Sequence, residues 1–203
     1  MQIKVCGLST ARQVEFCVEH NANFCGFILN YKKSHRFINY QTAEQLTKID
    51  KKKTSYVGVL VDPTIEELKT FKNLNLDYFQ IYGNFTTEQI KKIKSQCNKK
   101  IIMALQIKKK QDVLKYKLYK TVADIILFDS SGLHKSLNWN YSWIKTVPSS
   151  IVKMLAGNIS IDALESLKEI TDIVDVSGAL ETDKVKDTIK IKKFLEKIKQ
   201  IND

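Results

Sequence analysis

The chain has 203 residues, 43% of them hydrophobic and 27% charged, which is the balance of an ordinary soluble globular domain. Its longest apolar runs, residues 24–29 and 151–156, are far too short to span a membrane, so no membrane partner is expected. The net charge of +11 is nearly all lysine on stretches that read as solvated helix faces, since only Arg12 and Arg36 are arginines. No aromatic stacking motif accompanies it, so nucleic acid is not an expected partner.

The first residues, Met1 to Cys6, lack a basic head, an apolar stretch and a cleavage site, and the expected compartment is cytoplasmic. The four cysteines have neither metal-ligand nor redox-pair spacing and are expected to be reduced. Cys17 and Cys25 sit among apolar neighbours and read as core residues.

Taken in chain order, short β-branched or aromatic runs alternate with amphipathic stretches. The predicted strands are residues 3–6, 24–29, 56–61, 78–81, 101–105, 124–128, 151–155 and 173–176, each followed by a helical pattern. Thr64 with Glu67 has capping-box spacing, and Ser160 reads as another capped helix start. Residues 185–201 read as a final helix packed on the sheet through Ile189, Ile191, Phe194, Leu195 and Ile198. Near-continuous apolar strands fit a parallel sheet buried on both faces. Eight strand–helix units in this length predict an α/β fold, a single-domain (β/α)8 (TIM) barrel over residues 1–203; an open doubly wound sheet is the rival.

In such a barrel the active site lies at the C-terminal ends of the strands. Cys6 closes the first, Arg36 follows the second, Asp62 the third and Asp129 the sixth. A thiol and a carboxyl group around one mouth fit a base and an acid for proton transfer; the plainer readings are an apolar filler for Cys6 and a loop cap for Asp129. Arg36, in a chain that uses lysine almost everywhere, suggests a planar fork for a carboxylate, against an accident of composition. Gly157 and Asn158 after the seventh strand, with Ser177 and Gly178 after the eighth, fit the usual phosphate site of this fold. His20, His35 and His134 are scattered singly and suggest no metal site, while Trp139 and Trp143 read as packing residues.

These segments resemble one family. Lys4-Val5-Cys6-Gly7-Leu8-Ser9 is similar to the "KICGLT" signature of the phosphoribosylanthranilate isomerases, and Lys33-Ser34-His35-Arg36-Phe37 to their "KSPR(Y/F)" loop. Phe24 to Ile28 is similar to "GFIF", Val57 to Val61 to "VGVFV", Gln80 to Gly83 to "QLHG" and Leu127 to Ser130 to "LLDS". Leu155 to Asn158 resembles "LAGG", Asp175 to Glu181 resembles "DVSSGVE", and Val185-Lys186-Asp187 resembles "VKD". The matches run in order over essentially the whole chain.

The resemblance implies an Amadori rearrangement of N-(5-phosphoribosyl)anthranilate, a step of tryptophan biosynthesis, with a small phosphorylated molecule as partner and no cofactor or metal. It implies Asp129 as general acid, Cys6 as general base, Arg36 on the anthranilate carboxylate, and Gly157, Asn158, Ser177 and Gly178 on the phosphate. Three features depart from the family pattern: Tyr82 stands in place of histidine, Asn158 and Gly178-Ala179 alter the phosphate loops, and residues 131–136 lack the usual glycines. Another phosphosugar barrel and an inactive binding barrel are the rival readings, and the chain is expected to be a monomer or a homodimer.

Overall fold

The computed structural model describes residues 1–130 and 138–203. Eight strands form a closed, parallel barrel: β1 (Gln2–Cys6), β2 (Phe24–Ile28), β3 (Ser55–Val61), β4 (Tyr78–Tyr82), β5 (Lys100–Ile107), β6 (Ile125–Ser130), β7 (Lys153–Leu155) and β8 (Ile173–Val176). Closure runs through β1 and β8, where Lys4 stands opposite Asp175. The helices between them are α1 (Ala11–Glu19), α2 (Tyr40–Thr47), α3 (Ile65–Phe71), α4 (Thr87–Cys97), α5 (Tyr116–Tyr119) and α6 (Leu164–Leu167), and α7 (Thr188–Asn202) follows β8. The barrel reading holds, and the open sheet does not.

The helical layer is thinner on one side than its sequence pattern suggests. After β5 most of the helical stretch is 3₁₀, at Lys110–Lys115, and after β7 it starts as 3₁₀, at Ile161–Ala163; after β6 the described helical segment is 3₁₀, Tyr141–Thr146. Pro148 helps to end the last of these, because it drives Val147 into an extended conformation. Thr64 and Glu67 form the capping box at the start of α3, and Thr86 with Gln89 forms a second one on α4. Ser160 makes no side-chain cap, contrary to expectation.

The end of the chain also differs. Val185–Lys186 (β10) pairs antiparallel with Glu181–Thr182 (β9), so this stretch is a hairpin and α7 starts only at Thr188. Asp187 fixes that start by accepting the N–H groups of Ile189 and Lys190. Ile189 is 67% exposed, whereas Ile191, Phe194, Leu195, Ile198 and Ile201 form the buried face. A start three residues later leaves Ile189 on the first turn, pointing away from the barrel.

Two apolar layers result from strand alternation. One lies between the strands and the helices, where Cys17 and Cys25 are fully buried as expected. The other fills the barrel interior and includes Val57, Ile102, Leu127 and Met154. At the N-terminal end of the barrel one device repeats four times. Asn23, Asp77, Asp124 and Asp172, each at the entry to an even-numbered strand, accept the backbone N–H of Ile3, Tyr56, Ile101 and Lys153 on the preceding strand, at 2.7–3.0 Å. These bonds satisfy strand-start donors that the ladder leaves open.

Candidate active site

Cys6, Arg36, Asp129, Gly157, Asn158, Ser177 and Gly178 line one cavity at the C-terminal mouth of the barrel. Asp62 does not line it; its backbone N–H bonds Tyr82, and its carboxylate lies against Gly83. The predicted residues 131–136, including His134, fall outside the described residues. Trp139 and Trp143 both pack on the core, as expected. Trp139 also donates its indole N–H to the Ala156 carbonyl at 3.0 Å, which fixes the loop after β7.

The first cluster surrounds Cys6. Strand alternation puts Lys4 and Cys6 on the same interior face of β1. Gly26 opposes Cys6 on β2, and a Cβ there would meet Cys6 Sγ at 3.0 Å and Lys4 Nζ at 3.1 Å. Glycine is the residue that leaves room for both. Lys4 is fully buried, and its ammonium donates to both carboxylate oxygens of Asp175 at 2.9 Å. Burial opposes that charge, but Asp175 and the Cys6 side chain outweigh it and push the Lys4 pKa up. The Cys6 thiol is also pushed up, by burial first, while the Lys4 ammonium pulls it back.

The second cluster holds Arg36. Its guanidinium grips Glu181 with two parallel bonds, Nε to Oε1 at 2.5 Å and the terminal Nη2 to Oε2 at 2.8 Å. Lys186 donates to the same carboxylate, and His35 Nε2 lies 3.2 Å from it. Burial would raise the Glu181 pKa, but the bonds from Arg36 and Lys186 overcome it and hold it at about 2. The fork that the sequence suggested for a carboxylate is taken here by the chain's own Glu181. Arg36 Nη1 is not used by Glu181.

The third cluster surrounds Asp129, on β6. Tyr82, on β4, donates its hydroxyl to Asp129 Oδ2 at 2.7 Å, and the Ser130 N–H donates to Oδ1 at 2.7 Å. Gln80 Nε2 in turn donates to the Tyr82 hydroxyl at 3.2 Å. Burial raises the Asp129 pKa to about 6 against the pull of the Tyr82 bond, and the nearby Asp175 charge adds to the rise.

The phosphate candidates differ in what they can offer. Gly157 has φ +104°, and a Cβ there would meet Trp139 Nε1 at 2.9 Å and Ser130 Cβ at 3.1 Å, so only glycine fits. Asn158 is exposed, and its amide donates to Asn138 Oδ1 at 2.7 Å. Ser177 spends its hydroxyl proton on the Cys6 carbonyl at 2.9 Å.

Lys4, Gln80, Asp175, Glu181 and Lys186 were not singled out from sequence. A signal was present: Lys4, Gln80 and Asp175 are polar residues inside otherwise apolar strands. Lys4 and Gln80 stand two positions before Cys6 and Tyr82, and so on the same strand face.

Comparison with known proteins follows this geometry. Residues 3–197 match the family model described as N-(5'phosphoribosyl)anthranilate (PRA) isomerase. An N-(5'-phosphoribosyl)anthranilate isomerase of Streptococcus mutans is 32% identical over 202 residues, covering 98% of this chain and 99% of that protein. One from Clostridium acetobutylicum is 33% identical over 211 residues, with 98% of each chain covered. Among solved structures, phosphoribosyl anthranilate isomerase from Thermotoga maritima superposes with a TM-score of 0.88 at 24% identity, over 98% of this chain and 99% of that one. A phosphoribosyl anthranilate isomerase in complex with reduced 1-(o-carboxyphenylamino)-1-deoxyribulose 5-phosphate gives 0.85 at 24% identity and the same coverage. The chain belongs to the N-(5'-phosphoribosyl)anthranilate isomerase family.

Proposed function

We infer that the chain is a phosphoribosylanthranilate isomerase of tryptophan biosynthesis, with residues 1–203 acting as one cytoplasmic catalytic domain. The observation that carries the catalytic reading is a buried thiol and a part-buried carboxyl group around one barrel mouth, with a guanidinium and the Gly157 loop beside them. Every residue invoked lies on one chain, so the reading serves a monomer or a homodimer alike.

The chemistry is an internal redox shift between two carbons, and its first two steps each need a proton moved, one by an acid and one by a base. Protonated Asp129 gives its proton to the ribose ring oxygen as the C1–oxygen bond breaks, and the anthranilate nitrogen takes up the charge as an iminium. Cys6 as thiolate removes the C2 proton, and those electrons neutralise the iminium to give an enolamine. A proton then returns to C1 as the C2 hydroxyl becomes a ketone, so no atom is gained or lost. In this reading Arg36 takes the anthranilate carboxylate through Nη1, the nitrogen that Glu181 does not hold. The N–H groups of the Gly157–Asn158 and Ser177–Gly178 loops face the phosphate.

The productive form has Asp129 protonated and Cys6 ionised, the reverse of the resting order, since Asp129 titrates at about 6 and Cys6 above the usual thiol range. The population of that form is level between the two pKa values and falls outside them. The acid limb of kcat/KM therefore reports Asp129 and the alkaline limb reports Cys6.

The test follows anthranilate fluorescence with the substrate generated in situ. Enzyme-dependent loss of signal that vanishes in Asp129→Asn supports both the reaction and the acid. Well-folded protein without turnover overturns the reading.

A further inference from the structure

Gln80 is 1% exposed, and its Oε1 finds no hydrogen-bond partner among the described residues, although its Nε2 bonds Tyr82. A buried amide oxygen left open is unfavourable unless some state of the protein uses it. Its surroundings show which state that is. Tyr82 has one proton, and in the structure it goes to Asp129 Oδ2 while its oxygen accepts from Gln80. That direction suits an ionised Asp129. When Asp129 holds a proton, its O–H must donate, and the Tyr82 oxygen lies 2.7 Å away. The tyrosine proton then needs an acceptor, which the Gln80 amide supplies by a half-turn that brings Oε1 to Tyr82.

We propose that Gln80 and Tyr82 are positioning residues that form a reversible relay, holding the Asp129 carboxyl in one place in both its protonated and its ionised state. No proton leaves its parent group in the reversal; the two hydrogen bonds, Gln80 to Tyr82 and Tyr82 to Asp129, change direction together. An amide is suited to the far end because it carries both a donor and an acceptor. Tyrosine fits the middle because its hydroxyl does the same. Tyr82 and Asp129 lie on alternate strands, β4 and β6, which is how interior side chains of one barrel layer meet.

Other charges bear on this carboxyl: Asp175 on β8 raises its pKa and Lys4 on β1 lowers it, while its own charge raises the pKa of Tyr141, from the segment after β6; Cys6 lines the same cavity. Burial first, and then those charges, set the level of the pKa; the relay adds a directional bond that favours the ionised form and keeps the neutral form in register.

The proposal rests on Asp129 as the general acid, and its test has a readout independent of turnover. In protein carrying ¹³C at aspartate Cγ and ¹⁵N at glutamine Nε2, the Asp129 signal, assigned by its loss in Asp129→Asn, is titrated by NMR alongside the Gln80 amide. The amide signals are expected to shift with the same midpoint as Asp129, and in Tyr82→Phe that linked shift disappears while the Asp129 midpoint rises by about one pH unit. The acid limb of kcat/KM rises by the same amount, with kcat lowered more than KM is changed. Gln80→Leu keeps Tyr82 and gives a smaller rise. A Gln80 amide that does not respond across the Asp129 titration overturns the relay, as does an unmoved Asp129 midpoint in Tyr82→Phe. If wild-type protein turns over no substrate, the isomerase reading fails and the NMR result still decides the relay.

Discussion

The two ends of the barrel use the same residue types for opposite ends. At the N-terminal face, Asp77, Asp124 and Asp172 repeat one task, each accepting a strand-start N–H while a lysine sits beside it, at 2.7, 2.8 and 3.7 Å. Their side chains keep 33%, 28% and 50% of their exposure, so water shares the load. At the mouth the acids divide the work, although Asp175 and Glu181 each also pair with a buried lysine. Asp175 neutralises a buried lysine, Glu181 aims an arginine, and Asp129 is lifted toward neutrality. The side chains of Asp175 and Glu181 are only 6% and 8% exposed. A carboxylate that keeps its water is a modest staple. One that loses it has its charge decided by its neighbours, and that makes it usable for chemistry.

The contrast is broken most severely at the mouth. Asp129→Asn and Cys6→Ala are each expected to lower kcat by roughly 10²–10⁴-fold. Urea unfolding of both variants should stay close to wild type; a large loss of stability in either would place that residue with the staples instead.

Lys4→Met tests the buried pair beneath the thiol. It leaves Asp175 as an unpaired buried charge, so a loss of about 3–5 kcal/mol is expected in chemical denaturation. Without the ammonium, Cys6 is harder to ionise, and the alkaline limb of kcat/KM should move upward. Adding Asp175→Asn in the same chain should regain part of the stability and, by removing a negative charge that raises the Cys6 pKa, bring that limb part of the way back.

Glu181→Gln should weaken the aim of Arg36 and raise KM by roughly 10-fold, with kcat less affected, in keeping with a charge-assisted bond of about 1.5–3 kcal/mol. It also has a pH signature. The folded pKa of Glu181 is depressed to about 2, so its stabilisation is full above the ordinary glutamate value near 4.3 and decays as pH falls from there toward 2. Stability measured between pH 5 and 2 should therefore fall less steeply in Glu181→Gln than in wild type.

The smallest effect belongs to the other end. Asp124→Ala removes one strand staple and its partner Lys94, for about 1–2 kcal/mol, with kcat and KM unchanged. A change in turnover there would mean that the two ends are not separable.

Much of this was legible from residues alone. The eight strands, the Thr64–Glu67 cap and the placing of Cys6, Arg36 and Asp129 at strand ends all rest on local pattern, because strand alternation, capping and turn chemistry act within a few neighbours. Residues 185–201 misled for the same reason: their apolar spacing is helical, but the pairing of β10 with β9 claims the first turn. What the tertiary structure alone decided is who stands beside whom. Lys4 meets Asp175 across 171 positions, Arg36 meets Glu181 across 145, and Tyr82 meets Asp129 across 47. Barrel closure and interior layering create those pairs, and the loss of water around them sets the charges that the chemistry uses.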